Sequence, residues 1–168
     1  MLFDRYYART LLQQIRSDSS FVLPDGKREI GYFGAYGTGG DRFVLLDRRS
    51  MAMHPTDVFA FYYRRYFEAG GDGRIWGGWT GRGDGIVGAE LRAPLGHHWA
   101  LENRFTYLIP KQGSGTDGAT QESWGLTIAV VWYPGQSARC VRCSPWRPML
   151  NVADNSLFMT DAMVTGTP

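Results

Sequence analysis

Between Gly85 and Pro110 the chain reads GIVGAELRAPLGHHWALENRFTYLIP, two alternating runs folded around a Pro-Leu-Gly turn. In the first run Val87, Ala89, Leu91 and Ala93 alternate with Ile86, Gly88, Glu90 and Arg92. In the second, Trp99, Leu101, Phe105, Tyr107 and Ile109 alternate with Ala100, Glu102, Arg104 and Thr106, and Asn103 interrupts the apolar row. A period of two is the mark of a pleated strand, and a short turn between two such runs predicts an antiparallel hairpin. The tight turn lets Glu90, Arg92, Glu102 and Arg104 face one another across the pair.

Reading outward from this hairpin with the same rule gives strands over Leu11–Leu23, Arg28–Thr38, Asp57–Glu68, Gly73–Gly81, Gly85–Ala93, His98–Ile109 and Glu122–Tyr133, with a short eighth over Asp41–Asp47. Residues Asp4–Arg16 fit a helix as well as a strand. The joints Pro24–Lys27, Ala69–Asp72 and Pro94–His97 are short. Gly39–Thr56 and Pro110–Gln121 are long, and Arg82–Asp84 breaks the rhythm. Short turns at one end and loops at the other predict an all-β, antiparallel up-and-down meander, a partial or complete barrel. The domain is expected over residues 1–138, with an irregular tail over 139–168.

The composition agrees. Twenty-two glycines and 14% aromatic residues suit close-packed strands and tight turns. A net charge of +2 gives no electrostatic case for a nucleic-acid partner. Of the 18 basic residues only Lys27 and Lys111 are lysines, which favours fixed guanidinium forks over a diffuse basic coat. No run of eighteen apolar residues exists, so a transmembrane helix is excluded. The first twenty residues lack the apolar core and cleavage site of a secretion signal, and they read as an internal start.

Alternation does not say which face is inside. A soluble barrel buries its apolar row, whereas a membrane barrel turns the same row to lipid. Three features favour the second arrangement. The charges Glu90, Arg92, Glu102 and Arg104 can pair across one hairpin as an interior network. Strands of ten to twelve residues match a tilted bilayer crossing (about 9 to 11). Trp99, Tyr107, Trp124, Trp132 and Tyr133 gather near strand ends, where an interfacial aromatic belt sits. Against it stands Arg65, which shares the row of Phe59, Phe61, Tyr63 and Phe67. At mid-depth it would cost about 2 to 4 kcal/mol, and less near a strand end, where it can snorkel.

The strings DVFAFYYRRYF, GRIWGGWTGRGDGIVGAELRAPLG, WALENRFTYLIPKQGSG, ESWGLTIAVVWYPG and RPMLNVADNS resemble an uncharacterised family of planctomycete type. The resemblance covers about Asp57–Ser156, with QQIRSDSSFVLP and REIGYFGAYGT extending it back toward Leu12. It implies an exported, β-rich protein of the cell envelope or outer membrane whose members carry further strands ahead of this chain's first residue. It assigns no activity or catalytic residue.

The remaining motifs are weak. Cys140 and Cys143 form a C-x-x-C that fits incidental cysteines, a local disulfide or half a metal or redox site. His97 and His98 sit at the Pro94–His97 turn and read as a solvated turn, since adjacent histidines on a strand would point to opposite faces and share no metal easily, and His54 lies in a long loop. Arg82-Gly83-Asp84 and the Gly37–Gly40 run GTGG read as turns. Glu90 and Glu102 could pair as acid and base, but the arginines beside them make ion pairs the simpler reading. No cofactor, metal or catalytic residue is expected. The expected function is structural or passive transport in a membrane, with lipid as partner and small solutes as cargo. The alternative is a soluble barrel holding a lipid-like ligand.

Overall fold

The computed structural model describes residues 13–39, 41–44, 50–111, 123–135, 137–139 and 160–165. Seven strands build the main sheet: β1 (Gln13–Val22), β2 (Arg28–Gly39), β5 (Val58–Tyr66), β6 (Asp72–Thr80), β7 (Gly85–Pro94), β8 (Trp99–Ile109) and β9 (Ser123–Trp132). They lie in the order β1-β2-β5-β6-β7-β8-β9, and every neighbouring pair is antiparallel. Three shorter strands, β3 (Asp41–Val44), β4 (Ser50–Pro55) and β10 (Thr160–Thr165), form a second sheet in the order β10-β4-β3. The fold is therefore the expected all-β meander, and among the described residues it contains no helix.

The structure refines that expectation in three places. The long joint after β2 holds β3 and β4, and β4 recruits β10 from the segment expected to be an irregular tail. The Gly37–Gly39 part of GTGG is strand, not turn, with the Gly37 amide donating to Asp57 Oδ1 at 2.7 Å. The main sheet does not close into a barrel. Seven alternating strands leave the edges β1 and β9 running in the same direction, so direct closure would need a parallel pair in an otherwise antiparallel sheet.

The sheet curls nevertheless. Asp18 on β1 takes a hydrogen bond from Tyr62 of β5 at 2.8 Å and lies 3.8 Å from Arg74 of β6, three strands along. On the face inside this curl Phe33, Ala35, Val58, Ala60, Tyr62, Trp76 and Ile86 pack with Leu108 into the only core cluster among the described residues. Phe33 meets Trp76 edge to face, with centroids 5.3 Å apart. The Trp76 indole packs against Gly88, where a Cβ would strike the ring. At the short-turn end the chain after β9 straps back across the hairpins. The Tyr133 and Ala138 amides donate to the His98 and His97 carbonyls at 2.8 and 2.6 Å, and Ala138 is fully buried. The strap backbone at Arg139 comes so near Gly70 (φ 87°) that a side chain there would strike it.

Candidate functional site: a charged inner face

The pleat sorts the side chains of each strand into two sets. Register aligns one inner row across six strands: Val22, Glu29, Arg64, Arg74, Glu90 and Arg104. A second row, one pleat nearer the short turns, holds Tyr66, Asp72, Arg92 and Glu102. With Arg16 and Asp18 of β1 the inner face carries Arg16, Arg64, Arg74, Arg92 and Arg104 against Asp18, Glu29, Asp72, Glu90 and Glu102. The charges balance.

Ion pairs connect eight of them into two clusters, Asp18–Arg74–Glu90–Arg104 and Glu29–Arg64–Asp72–Arg92, which the Tyr62 hydroxyl bridges. Glu90 accepts from Arg74 Nε at 3.0 Å and Nη2 at 2.6 Å, and from Arg104 Nε at 3.0 Å. Asp72 lies 3.0 Å from Arg92 Nε and 3.7 Å from Arg64 Nε. Glu29 takes Arg64 Nη1 at 3.3 Å and the hydroxyls of Tyr62 and Tyr66. The guanidinium of Arg74 also sits over the rings of Tyr62 and Phe33, 5.1 and 5.6 Å from their centroids. The partners are mostly covered: the Glu90 side chain is 18% exposed and that of Arg74 is 11%. Buried charges survive when they are paired. Arg92, though its guanidinium lies 3.0 Å from Asp72, makes no hydrogen bond from any of its three buried nitrogens, and Arg64 Nε makes none.

The outer face is the reverse. Trp124, Leu126, Ile128, Val130 and Trp132 of β9 are all exposed, Trp124 by 70% and Ile128 by 64%. Ile75, Phe61, Ile30, Val87, Leu91 and Phe105 continue this apolar surface across the other strands. It thins toward β1, where Ser17 and Ser19 stand between Ile15 and Phe21.

Glu90 and Arg104 are opposite neighbours, as are Arg92 and Glu102. Of the predicted aromatic set, Trp99 and Trp132 pair at the short-turn end with rings 6.3 Å apart, and Tyr107 lies opposite Trp124 at the loop end. Tyr133 does not join them. One residue beyond Trp132, it turns to the inner face, where its hydroxyl donates to Glu102. The structure adds Tyr36, Phe59 and Trp79 to the loop-end aromatics, in contact at 5.5 and 6.2 Å. Arg65 is exposed on the outer face, opposite Arg28 at the start of β2 and one residue from the end of β5.

The sequence reading missed Glu29, Tyr62, Arg64, Arg74 and Asp72 as members of the inner network. The parity of β2, β5 and β6 would have found them, since REIG, YYRRY and GRIW alternate as clearly as the hairpin does. The two histidines lie in an exposed turn, as expected. His97 Nδ1 lies 3.3 Å from His98 Nε2. Arg82-Gly83-Asp84 forms a turn, with Gly83 at φ 86° and Asp84 Oδ1 accepting from the Lys111 amide at 2.9 Å. Cys140 and Cys143 lie outside the described residues. Among the described residues no group of three or more His, Cys, Asp or Glu could hold a metal. No helix there is long and apolar enough to cross a membrane, which says nothing of strands.

A family of unknown function (DUF6666) has a sequence model that matches residues 1–160, and the chain belongs to that family. No curated protein and no solved structure matches.

Proposed function

We propose that this DUF6666 protein is an outer-membrane-type β-barrel component, its apolar outer face against lipid and its interior braced by charge, with a structural role. The observation that carries this reading is the inversion of burial: Ile128 and Trp124 are exposed while Glu90 and Arg74 are covered. A sheet folded for water does the opposite, because apolar burial is its main driving force. The seven strands are nine to twelve residues long, the length of a tilted crossing. The Trp99–Trp132 pair and the Tyr107–Trp124 pair stand eight residues apart, about 27 Å along the strand at roughly 3.4 Å per residue. Tilted by roughly 40°, that projects to about 21 Å along the membrane normal, a few ångströms under the apolar band of such barrels, about 25 Å. Arg65 and Arg28, beside the short turns, stand where a guanidinium reaches headgroups.

Passage of solutes is the weaker half of the reading. The inner face is occupied by its own aromatic rings and ion pairs, as expected where a small barrel is filled by side chains. A soluble barrel for an apolar ligand would carry its apolar row inside, and here that row is outside.

The test is arginine substitution on adjacent parities. Leu126→Arg, between the aromatic end and the middle of the outer row, should weaken folding into phosphatidylcholine vesicles by about 1 to 3 kcal/mol, and Thr127→Arg on the inner face by much less. The unmodified protein should float with the vesicles and migrate anomalously in dodecyl sulfate until heated. A chain that is monodisperse in detergent-free buffer and indifferent to Leu126→Arg would end the proposal.

A further inference from the structure

We infer that β9 is a self-docking edge through which two copies of this chain join, antiparallel, about Ile128. The two edges of the main sheet differ in kind. β1 carries Gln13, Gln14, Arg16 and Asp18, the polar and charged side chains that protect an edge from pairing. β9, SWGLTIAVVW, has no charged residue, no proline and ten residues of regular ladder to β8. It has a single neighbour among the described residues, and its outer row is the most exposed apolar row in the sheet. An edge of that composition is a template for another strand.

The occupant follows from the symmetry of the row. Trp124, Leu126, Ile128, Val130 and Trp132 read alike in both directions: an aromatic at each end, an aliphatic inside each, isoleucine at the centre. A two-fold axis through Ile128 would set Trp124 against Trp132, Leu126 against Val130 and Ile128 against itself. On the inner side Thr127 would face Ala129. Directly opposed aromatic and branched pairs are the stabilising unit of an antiparallel ladder, and a two-fold pairing of one surface with itself is the commonest way for identical chains to join. A slip of two residues would leave one tryptophan of each pair unopposed, so the row also fixes the register.

This inference goes beyond the lipid-facing reading. Antiparallel pairing turns the second copy end for end, so paired copies could not cross a bilayer in the same direction. The dimer is therefore the state of the chain away from a bilayer, and insertion into vesicles competes with it.

Cysteine cross-linking tests it on the full chain, in dodecyl maltoside, with Cys140→Ser and Cys143→Ser as background. A short bismaleimide should couple Ile128→Cys to itself, and Trp124→Cys to Trp132→Cys when the two variants are mixed. It should not couple Trp124→Cys alone, because the axis places the two copies of that position about 27 Å apart. The first two yields should exceed the third by about tenfold or more. The unmodified chain should sediment as a dimer, and Ile128→Lys, which opposes two like charges, should return it to monomer. A monomeric unmodified chain, or Trp124→Cys alone coupling as readily as Ile128→Cys, would overturn the inference. Vesicle flotation reports on the lipid-facing reading separately, since a chain can float without pairing or pair without floating.

Discussion

Glu90 is the junction of the inner network, and removing its charge has a calculable effect. Its two oxygens take three charge-assisted hydrogen bonds, at 3.0 and 2.6 Å from Arg74 and 3.0 Å from Arg104. Glu90→Ala leaves two guanidinium groups facing a space that their counter-charge had filled. Arg74 would retain only Asp18 at 3.8 Å as an anionic partner among the ion pairs of the described residues. Breaking a buried ion pair from one side costs about 3 to 5 kcal/mol. The three side chains keep between 11% and 18% exposure, so water recovers part of that. The expected loss is at the lower end, about 3 kcal/mol. Glu90→Gln preserves shape and one acceptor but turns an amide N–H2 toward a cation, for a loss of about 2 kcal/mol. Urea unfolding of the micelle-bound protein, followed by tryptophan fluorescence, reads both. Removing Arg104 as well should recover about 1 kcal/mol or more, because one of the orphaned charges has gone. If Glu90→Gln lies within about 0.5 kcal/mol of the unmodified protein, the network is an ornament of the surface and not a brace.

Four further outcomes follow from particular contacts. Gly88→Ala drives a methyl group into the Trp76 indole and toward the Phe105 carbonyl, and should cost about 3 kcal/mol as overpacking. Gly125→Ala, in the same register row but with open space at its Cβ, should change stability by less than about 0.5 kcal/mol in the same assay. Tyr62→Phe removes the hydroxyl that lies 2.8 Å from both Asp18 Oδ1 and Glu29 Oε1, and a loss of about 1 to 2 kcal/mol is expected for carboxylates left short of a donor. Asp25, in the first turn, is held below the usual aspartate range by the Lys27 amide and then by the Arg28 side chain. Its contribution is therefore present above the unfolded aspartate pKa and lost as pH falls through the lower folded value. A carboxyl NMR titration of Asp25 that sits at or above the ordinary range would refute that assignment.

The meander was legible because it is local. Each strand of the main sheet was recognisable from its own alternation, and observed limits differ from the expected ones by one or two residues, as between Asp57–Glu68 and Val58–Tyr66. The hairpin charges were legible for the same reason, since a tight turn fixes which residues face each other. What escaped was long-range. Glu29 meets Tyr62 and Arg64, and Asp18 meets Arg74, only because the sheet curls and because β5 follows β2 in space after the β3–β4 excursion. Parity places Glu29 and Asp18 on the inner face, but the local pattern of REIG or SDSS does not state which residues they meet there. The same limit hid β10, whose strand exists through pairing with β4, more than a hundred positions earlier in the chain. Tyr133 was misassigned for a smaller reason: proximity to Trp132 in sequence outweighed the parity that sends neighbours to opposite faces.

The choice of cation explains how so polar a face can be buried at all. Each guanidinium offers five donors in a planar fork, so one arginine can serve two acceptors on different strands. Arg74 does this with Glu90 and Asp18, and Arg64 with Glu29 and Asp72. A lysine at either place would supply a compact charge with no flat surface for the Tyr62 ring. The described lysines stand elsewhere, Lys27 in a turn with Glu68 at 2.7 Å and Lys111 beyond the end of β8. Most of these ties join neighbouring strands, and Asp18 of β1, through Tyr62 of β5 and Arg74 of β6, ties strands that are not neighbours in the sheet. Such ties hold a curl that apolar packing on the inner face, confined to one cluster around Phe33 and Trp76, reaches only in part. They also leave the outer face free of charge in mid-strand, which is the condition a hydrocarbon surface imposes.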